Sequence, residues 1–177
     1  MANYEKIVTP EFTLMYPSLF EPRAYEGGTP KYSLTAVFPK GTDLSALKNL
    51  ARSVVPAGKE SACRTPFREA TEEQIQAWGE VYRDAIFIRL SSQRAPGIVD
   101  AMKNVITDSE EIYSGAKCRA VIHAYFYERS GNKGVNFGLD AVQKTADGER
   151  MYADSSAMFD AVPGGATTSA KSDSDLF

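Results

Sequence analysis

The chain has 177 residues, enough for one domain with a real core and little more. Apolar residues make up 43% and charged residues 24%, which excludes the disordered, collagenous and fibrous classes. The formal net charge of -3 argues against a uniformly basic nucleic-acid binder, although phosphate attraction depends on where cations sit rather than on their sum.

The first residues, MANYEKIVTPEF, hold no apolar run of signal-peptide length, and no later run is long enough to span a bilayer. A soluble, cytoplasmic protein is expected. Glu11–Tyr16 alternates, with Phe12, Leu14 and Tyr16 on one side, and predicts a strand that Pro17 ends. Pro22–Pro30, with Gly27-Gly28, reads as a loop. Lys31–Phe38 is the next strand, with Tyr32, Leu34, Ala36 and Phe38 on one face and Lys31, Ser33 and Thr35 on the other. The period then changes. Leu44, Leu47, Leu50, Ala51 and Val54 predict a helix over Asp43–Val55, capped by Thr42 or Asp43 and closed by Pro56-Ala57-Gly58. Residues 59–70 are irregular and carry Arg64 and Arg68; Thr71 with Gln74 forms a capping box that opens a second helix with Ile75, Trp78 and Tyr82 on its apolar side.

Ala85–Ser91 returns to the strand period. Ile86, Ile88 and Leu90 face inward, leaving Phe87, Arg89 and Ser91 outward. Residues 94–100 form a turn and re-entry, and 105–111 a loop or short helical turn. Lys117–Arg129, the connection Ser130–Gly134 and Val135–Lys144 then predict a long β-hairpin, followed by a turn at Thr145–Gly148. Along its first strand Cys118, Ala120, Ile122, Ala124 and Phe126 make a small apolar face, while Lys117, Arg119, Val121, His123, Tyr125, Tyr127 and Arg129 make a face of rings and cations. Phe137 shares parity with Val135 and Leu139 and belongs to the core. Domain boundaries follow: residues 1–162 fold, and 163–177, rich in Gly, Ala, Ser and Thr, form a disordered tail. Short strands with inserted helices and a long bent hairpin suit a mainly β, five-stranded OB-fold barrel, with an α+β sandwich as the other architecture.

An outward ring beside an outward cation occurs on two separate strands, and that pairing is what a binder of single-stranded nucleic acid needs. Cations neutralise phosphates, and rings stack bases without regard to sequence. The expected contacts are Lys31, Arg89, Lys117, Arg119, Arg129 and Lys133 with phosphates, and Phe87, Tyr125 and Tyr127 with bases. The bland counterpart is a solvated face or one covered by a helix. No catalytic set is evident. His123 stands alone, two cysteines and one histidine cannot build a zinc site, and neither a Walker loop nor a dinucleotide fingerprint is present. No cofactor or metal is expected. Two rivals stay in play: a metal-dependent nucleic-acid-modifying enzyme using Glu72, Glu73, Asp100 or Asp108 with magnesium, and a structural or adaptor protein whose outward rings form a protein interface. Asp173, Asp175, Leu176 and Phe177 near the end of the sequence suggest a tether, whose acids would compete with nucleic acid for a cationic groove and whose aromatic would enter a partner's pocket.

Four ordered motifs carry a resemblance: PKYSLTAVFPKGTD (Pro30–Asp43), PGIVD (Pro96–Asp100), IYSG (Ile112–Gly115) and GNKGVNFGLDAVQK (Gly131–Lys144). Together they resemble the phage-encoded single-stranded-DNA-binding proteins, an OB-fold family long classed as a domain of unknown function, over nearly the whole chain to Phe159. The resemblance implies a protein that coats single-stranded DNA during phage replication and recombination. It also implies an acidic C-terminal tail ending in an aromatic, through which replication proteins such as a polymerase or helicase-primase are recruited. Asp173, Asp175 and Phe177 fit that tail, which departs from the pattern in having few acids and in carrying Lys171.

Overall fold

The computed structural model describes residues 4–24, 27–61, 63–151 and 162–164. The tail positions Asp173, Asp175, Leu176 and Phe177 lie outside the described residues. The strands are β1 (Lys6–Val8), β2 (Phe12–Arg23), β3 (Lys31–Phe38), β4 (Ile86–Ser92), β5 (Gly97–Val99), β6 (Lys117–Arg129) and β7 (Asn132–Ala146); the helices are α1 (Ser45–Ser53) and α2 (Glu72–Trp78). Both helices sit between β3 and β4, as the change of period predicts.

Five strands close a barrel. β2 pairs with β3, β3 with β4, β4 with β7 in parallel, β7 with β6, and β6 returns to β2. Short β1 extends the sheet beyond β6 and β5 extends it beyond β7. A five-stranded barrel in which β4 runs parallel to the last strand is the OB-fold arrangement. Its interior holds Leu14, Leu34, Ala36, Ile88, Leu90, Ile122, Phe137 and Leu139, all buried. The small face of β6 explains the close fit, since Ala124 lies directly opposite Phe137 and leaves room for the ring. Leu47, Leu50 and Ala51 on α1 join the same cluster.

Several element boundaries differ from expectation, among them the second helix, which ends at Trp78 short of Tyr82, and β7, which runs to Ala146 into the expected turn. β2 runs through Pro17 to Arg23 instead of ending at Tyr16. The ladder with β3 breaks between Met15 and Ser18, Tyr16 takes a φ of 51°, and its N–H donates to Ser114 Oγ. A bulge therefore absorbs the proline that lacks a ladder donor, and the strand bends around the barrel and resumes. The hairpin turn is two residues, Ser130-Gly131, with φ of 52° and 81°, rather than five. Left-handed backbone at both positions matches the twist of the flanking strands and draws the pairing out to Arg129–Asn132. Finally, β1 and β5 span three residues each, too few to show a period.

Candidate nucleic-acid interface

Parity and register place the outward side chains of five strands in rows. The first row is Ser33, Ser91, Gly138, His123 and Lys6, each the direct partner of the next. Two residues along, Thr35 faces Arg89 and Asn136 faces Tyr125. Two further, Val37 faces Phe87 and Gly134 faces Tyr127. Direct partners place their Cβ atoms roughly 5 Å apart on one face, so these rows are physical neighbours.

The face is divided by α2. The capping box expected at its start forms: the Thr71 hydroxyl accepts from the Gln74 N–H, and Gln74 Oε1 accepts from the Thr71 N–H. The helix lays Ile75 and the following turn lays Tyr82 over Met15, Val37 and Ala85, making a second small core on the outside of the barrel. Phe87 belongs to that core. Its ring meets Trp78 at 6.1 Å and Tyr82 at 5.3 Å, both edge-on. The expectation that Phe87 offers an open stacking surface is thereby corrected: its outward parity holds, but the inserted helix covers it.

The other half, over β7 and β6, stays open among the described residues. Asn136 and Arg89 are exposed, while His123, Tyr125 and Tyr127 are half-buried. Two glycines explain how the rings lie. A Cβ on Gly134 would stand 2.7 Å from Tyr127 Oη, and one on Gly138 would stand 2.2 Å from His123 Cε1. Lacking side chains, both residues let the neighbouring ring settle across β7, where one face is supported by backbone. His123 is further fixed by Asp140, with Nδ1 2.7 Å from Oδ2, and Tyr4 stacks on it at a centroid distance of 4.9 Å and 26° between planes. Tyr4 is itself 43% exposed. Lys6 Nζ lies 3.6 Å from Asp140 Oδ1, adding a cation to the same corner.

The remaining expected contacts scatter. Arg129 is exposed at the hairpin tip on the Tyr127 side. Lys133 faces Glu128, on the opposite side of the hairpin from Tyr127, so it does not share the aromatic face. Lys117 is half-buried, its Nζ donating to Thr13 Oγ1, and the Arg119 Nε–H donates to Gln143 Oε1. Arg119 stands six residues from Tyr125, about 20 Å along a strand. Lys31 is exposed at the start of β3, two residues before the first row. The structure thus gathers Arg89, Tyr125 and Tyr127, with Lys31 and Arg129 at the ends of the same face, and sets Lys117, Arg119 and Lys133 elsewhere.

The acids of the metal-enzyme rival do separate work. Glu72 binds the Arg83 guanidinium at 2.9 and 3.1 Å, and this hydrogen bonding holds its carboxyl below the usual range. Asp100 accepts from the N–H groups of Asn104 and Met102, which lowers its pKa, and Asp108 accepts from the Glu110 N–H. Among the described residues no group of three or more His, Cys, Asp and Glu side chains gathers, and no helix is long and apolar enough to cross a membrane.

Sequence reasoning placed His123 on this face without giving it a role, and missed Tyr4 and Asn136 along with Arg64 and Arg68. Gly134, Asn136 and Gly138 were a legible signal, since alternate small residues on one strand face leave a trough for rings from the next strand. Arg64 and Arg68 lie in a segment without period and gave none.

A family model described as "Enterobacter phage Enc34, ssDNA-binding protein" matches residues 5–170. No curated protein matches the chain. Among solved structures, the single-stranded DNA-binding protein from bacteriophage Enc34 in complex with ssDNA is similar with a TM-score of 0.70 and 23% identity, covering 83% of this chain and 89% of that one. The single-stranded DNA binding protein gp2.5 of bacteriophage T7 is similar with a TM-score of 0.60 and 12% identity, covering 94% of this chain and 100% of that one.

Proposed function

The chain belongs to the family of the Enterobacter phage Enc34 ssDNA-binding protein, and from that membership and the open half of the barrel we propose that it binds single-stranded DNA without sequence preference. The observation that carries this reading is the pair of Tyr127, seated over Gly134, and Tyr125, opposite Asn136 on β7, with Arg89 alongside on β4. Bases stack on the two tyrosine rings, each contact contributing roughly 1–3 kcal/mol whatever the base, because every base has a π face. Arg89, and Lys31 and Arg129 at the two ends of the face, meet phosphates. A net charge of -3 is no obstacle when Arg89, Lys31 and Arg129 share a face with the rings.

In this reading the protein coats single strands exposed during phage replication and recombination, and the tail residues Asp173, Asp175, Leu176 and Phe177 recruit a replication protein. The test is a titration of fluorescent oligo-dT at several salt concentrations, with the full chain and with Tyr125→Ala/Tyr127→Ala. Tight, salt-sensitive, sequence-indifferent binding that drops at least ten-fold in the double variant is the expected result. Affinity unchanged in a folded double variant removes the tyrosines from the interface, and no binding by the full chain at any salt defeats the reading.

A further inference from the structure

Strands β4 and β7 pair at only two positions, Leu90–Phe137 and Ser91–Gly138. Toward Phe87 and Gly134 they part, and residues 64–68 fill the opening. The Arg64 N–H donates to the Lys133 carbonyl and the Val135 N–H to the Arg64 carbonyl, at 2.9 and 3.1 Å. At the other end Arg68 and Phe87 exchange both backbone bonds, at 3.0 and 2.9 Å. Phe67 points the other way, into the barrel, and meets Phe137 edge-on at 5.7 Å. The segment is therefore a strap. Its phenylalanine closes the core, and its backbone joins two strands that do not reach each other.

Bridge partners share a face, so Arg64 stands on the side of Gly134 and Tyr127, and Arg68 on the side of Phe87 and Arg89. The strap thus sets two exposed arginines along the seam between the tyrosine row and β4. The fold does not require their charge. The bridges are made by backbone, which any residue supplies, and neither guanidinium forms an ion pair with an acid among the described residues. Arg83, by contrast, is held by both Glu72 and Glu80. Arg64 does have an orienting contact, donating from Nη2 to Asn132 Oδ1 at 3.0 Å. A planar guanidinium held at a seam beside stacking rings is suited to grip a phosphate with two parallel hydrogen bonds.

We propose that Arg64 and Arg68 are phosphate-binding residues, so that the strap supplies the track along which the DNA backbone crosses from β4 to the tyrosines. This rests on the single-strand reading above. Each phosphate contact on a single strand contributes about 0.7 to the slope of log affinity against log salt. Arg64→Gln/Arg68→Gln should therefore flatten the slope by about 1.4, so that raising salt from 50 to 200 mM weakens binding about seven-fold less than in the unaltered protein. Arg64→Lys/Arg68→Lys should keep the slope, Lys40→Gln on the turn after β3 should leave it unchanged, and thermal melts should coincide for all four proteins. Tyr125→Ala/Tyr127→Ala should weaken binding at every salt with the slope intact. If the glutamine variant keeps the full slope while the unaltered chain binds oligo-dT, the strap arginines do not touch phosphate and the single-strand reading survives without them. If the unaltered chain binds no oligo-dT, both fall together.

Discussion

Replacing Gly134 with alanine tests the packing that holds the tyrosine face. Gly134 does not have a left-handed φ, so alanine carries no backbone penalty there, and the cost is steric. The new methyl carbon would stand 2.7 Å from Tyr127 Oη, 2.8 Å from Arg64 Cβ and 2.9 Å from the Arg64 carbonyl oxygen. The tyrosine can swing aside, but the arginine backbone is pinned by its two hydrogen bonds to β7. Overpacking of this kind costs about 1–3 kcal/mol, and loosening two backbone bonds adds roughly 1 kcal/mol. A total near 3 kcal/mol should lower the melting temperature by roughly 6–12 °C in a chain of this length. Oligo-dT affinity should fall with it, by up to the value of one stacking contact, because Tyr127 loses its seat. Gly131→Ala is the comparison: it meets nothing within 4 Å, and its cost comes only from a φ of 81°. Melting is followed by circular dichroism and binding by anisotropy. A Gly134→Ala protein that melts within 2 °C of the unaltered chain and binds DNA equally well would refute the arrangement of ring, strap and strand.

Phe87→Ala removes a ring packed between Trp78 and Tyr82, and should cost about 3 kcal/mol in urea unfolding while leaving oligo-dT affinity within two-fold. A large affinity loss in the folded variant would show that the ring is a binding platform after all. Thr71→Ala breaks the capping box and should cost about 1 kcal/mol, read as a shift in urea midpoint without a change in slope. Burial pushes the Cys118 thiol up to about 12 from an ordinary 9.0, so it should resist iodoacetamide at pH 8 while half-buried Cys63 reacts. Because the unfolded thiol ionises near 9 and the folded one near 12, the unfolded state loses its proton first. Stability is intact below pH 9 and should then fall by up to about 1.4 kcal/mol per pH unit, a trend that Cys118→Ser should lack in urea melts at pH 8 and 10.

Much of the barrel was legible because alternation survives wherever a strand has one buried face. The split of β6 into Cys118, Ala120, Ile122 and Ala124 against Tyr125, Tyr127 and Arg129 holds, as does the capping box at Thr71. Pro17 misled because a proline stops a strand only where its missing N–H would have joined a ladder, and the bulge at Tyr16 removes that need. The hairpin turn was read too long since Asn132 and Lys133 look like turn residues in isolation. It is the left-handed Ser130-Gly131 pair that lets them continue the ladder.

Alternation along a chain says which side of its own strand a residue takes, and for that it needs no neighbours. This is why the outward parity of Phe87, Arg89, Tyr125 and Tyr127 could be read from residue order alone. What lies over an outward residue depends on pieces distant in the chain: α2 covers Phe87, Gly134 and Gly138 seat rings from β6, and the strap brings Arg64 and Arg68 into line with them. Arg119 shares the tyrosines' parity but stands about 20 Å along the same strand, whereas Lys133, grouped with them by charge, is turned away by strand pairing. Local periodicity fixes orientation because it is a property of the backbone; a shared surface is a property of closure, and only the closed barrel sorts its cations into those beside the rings and those elsewhere.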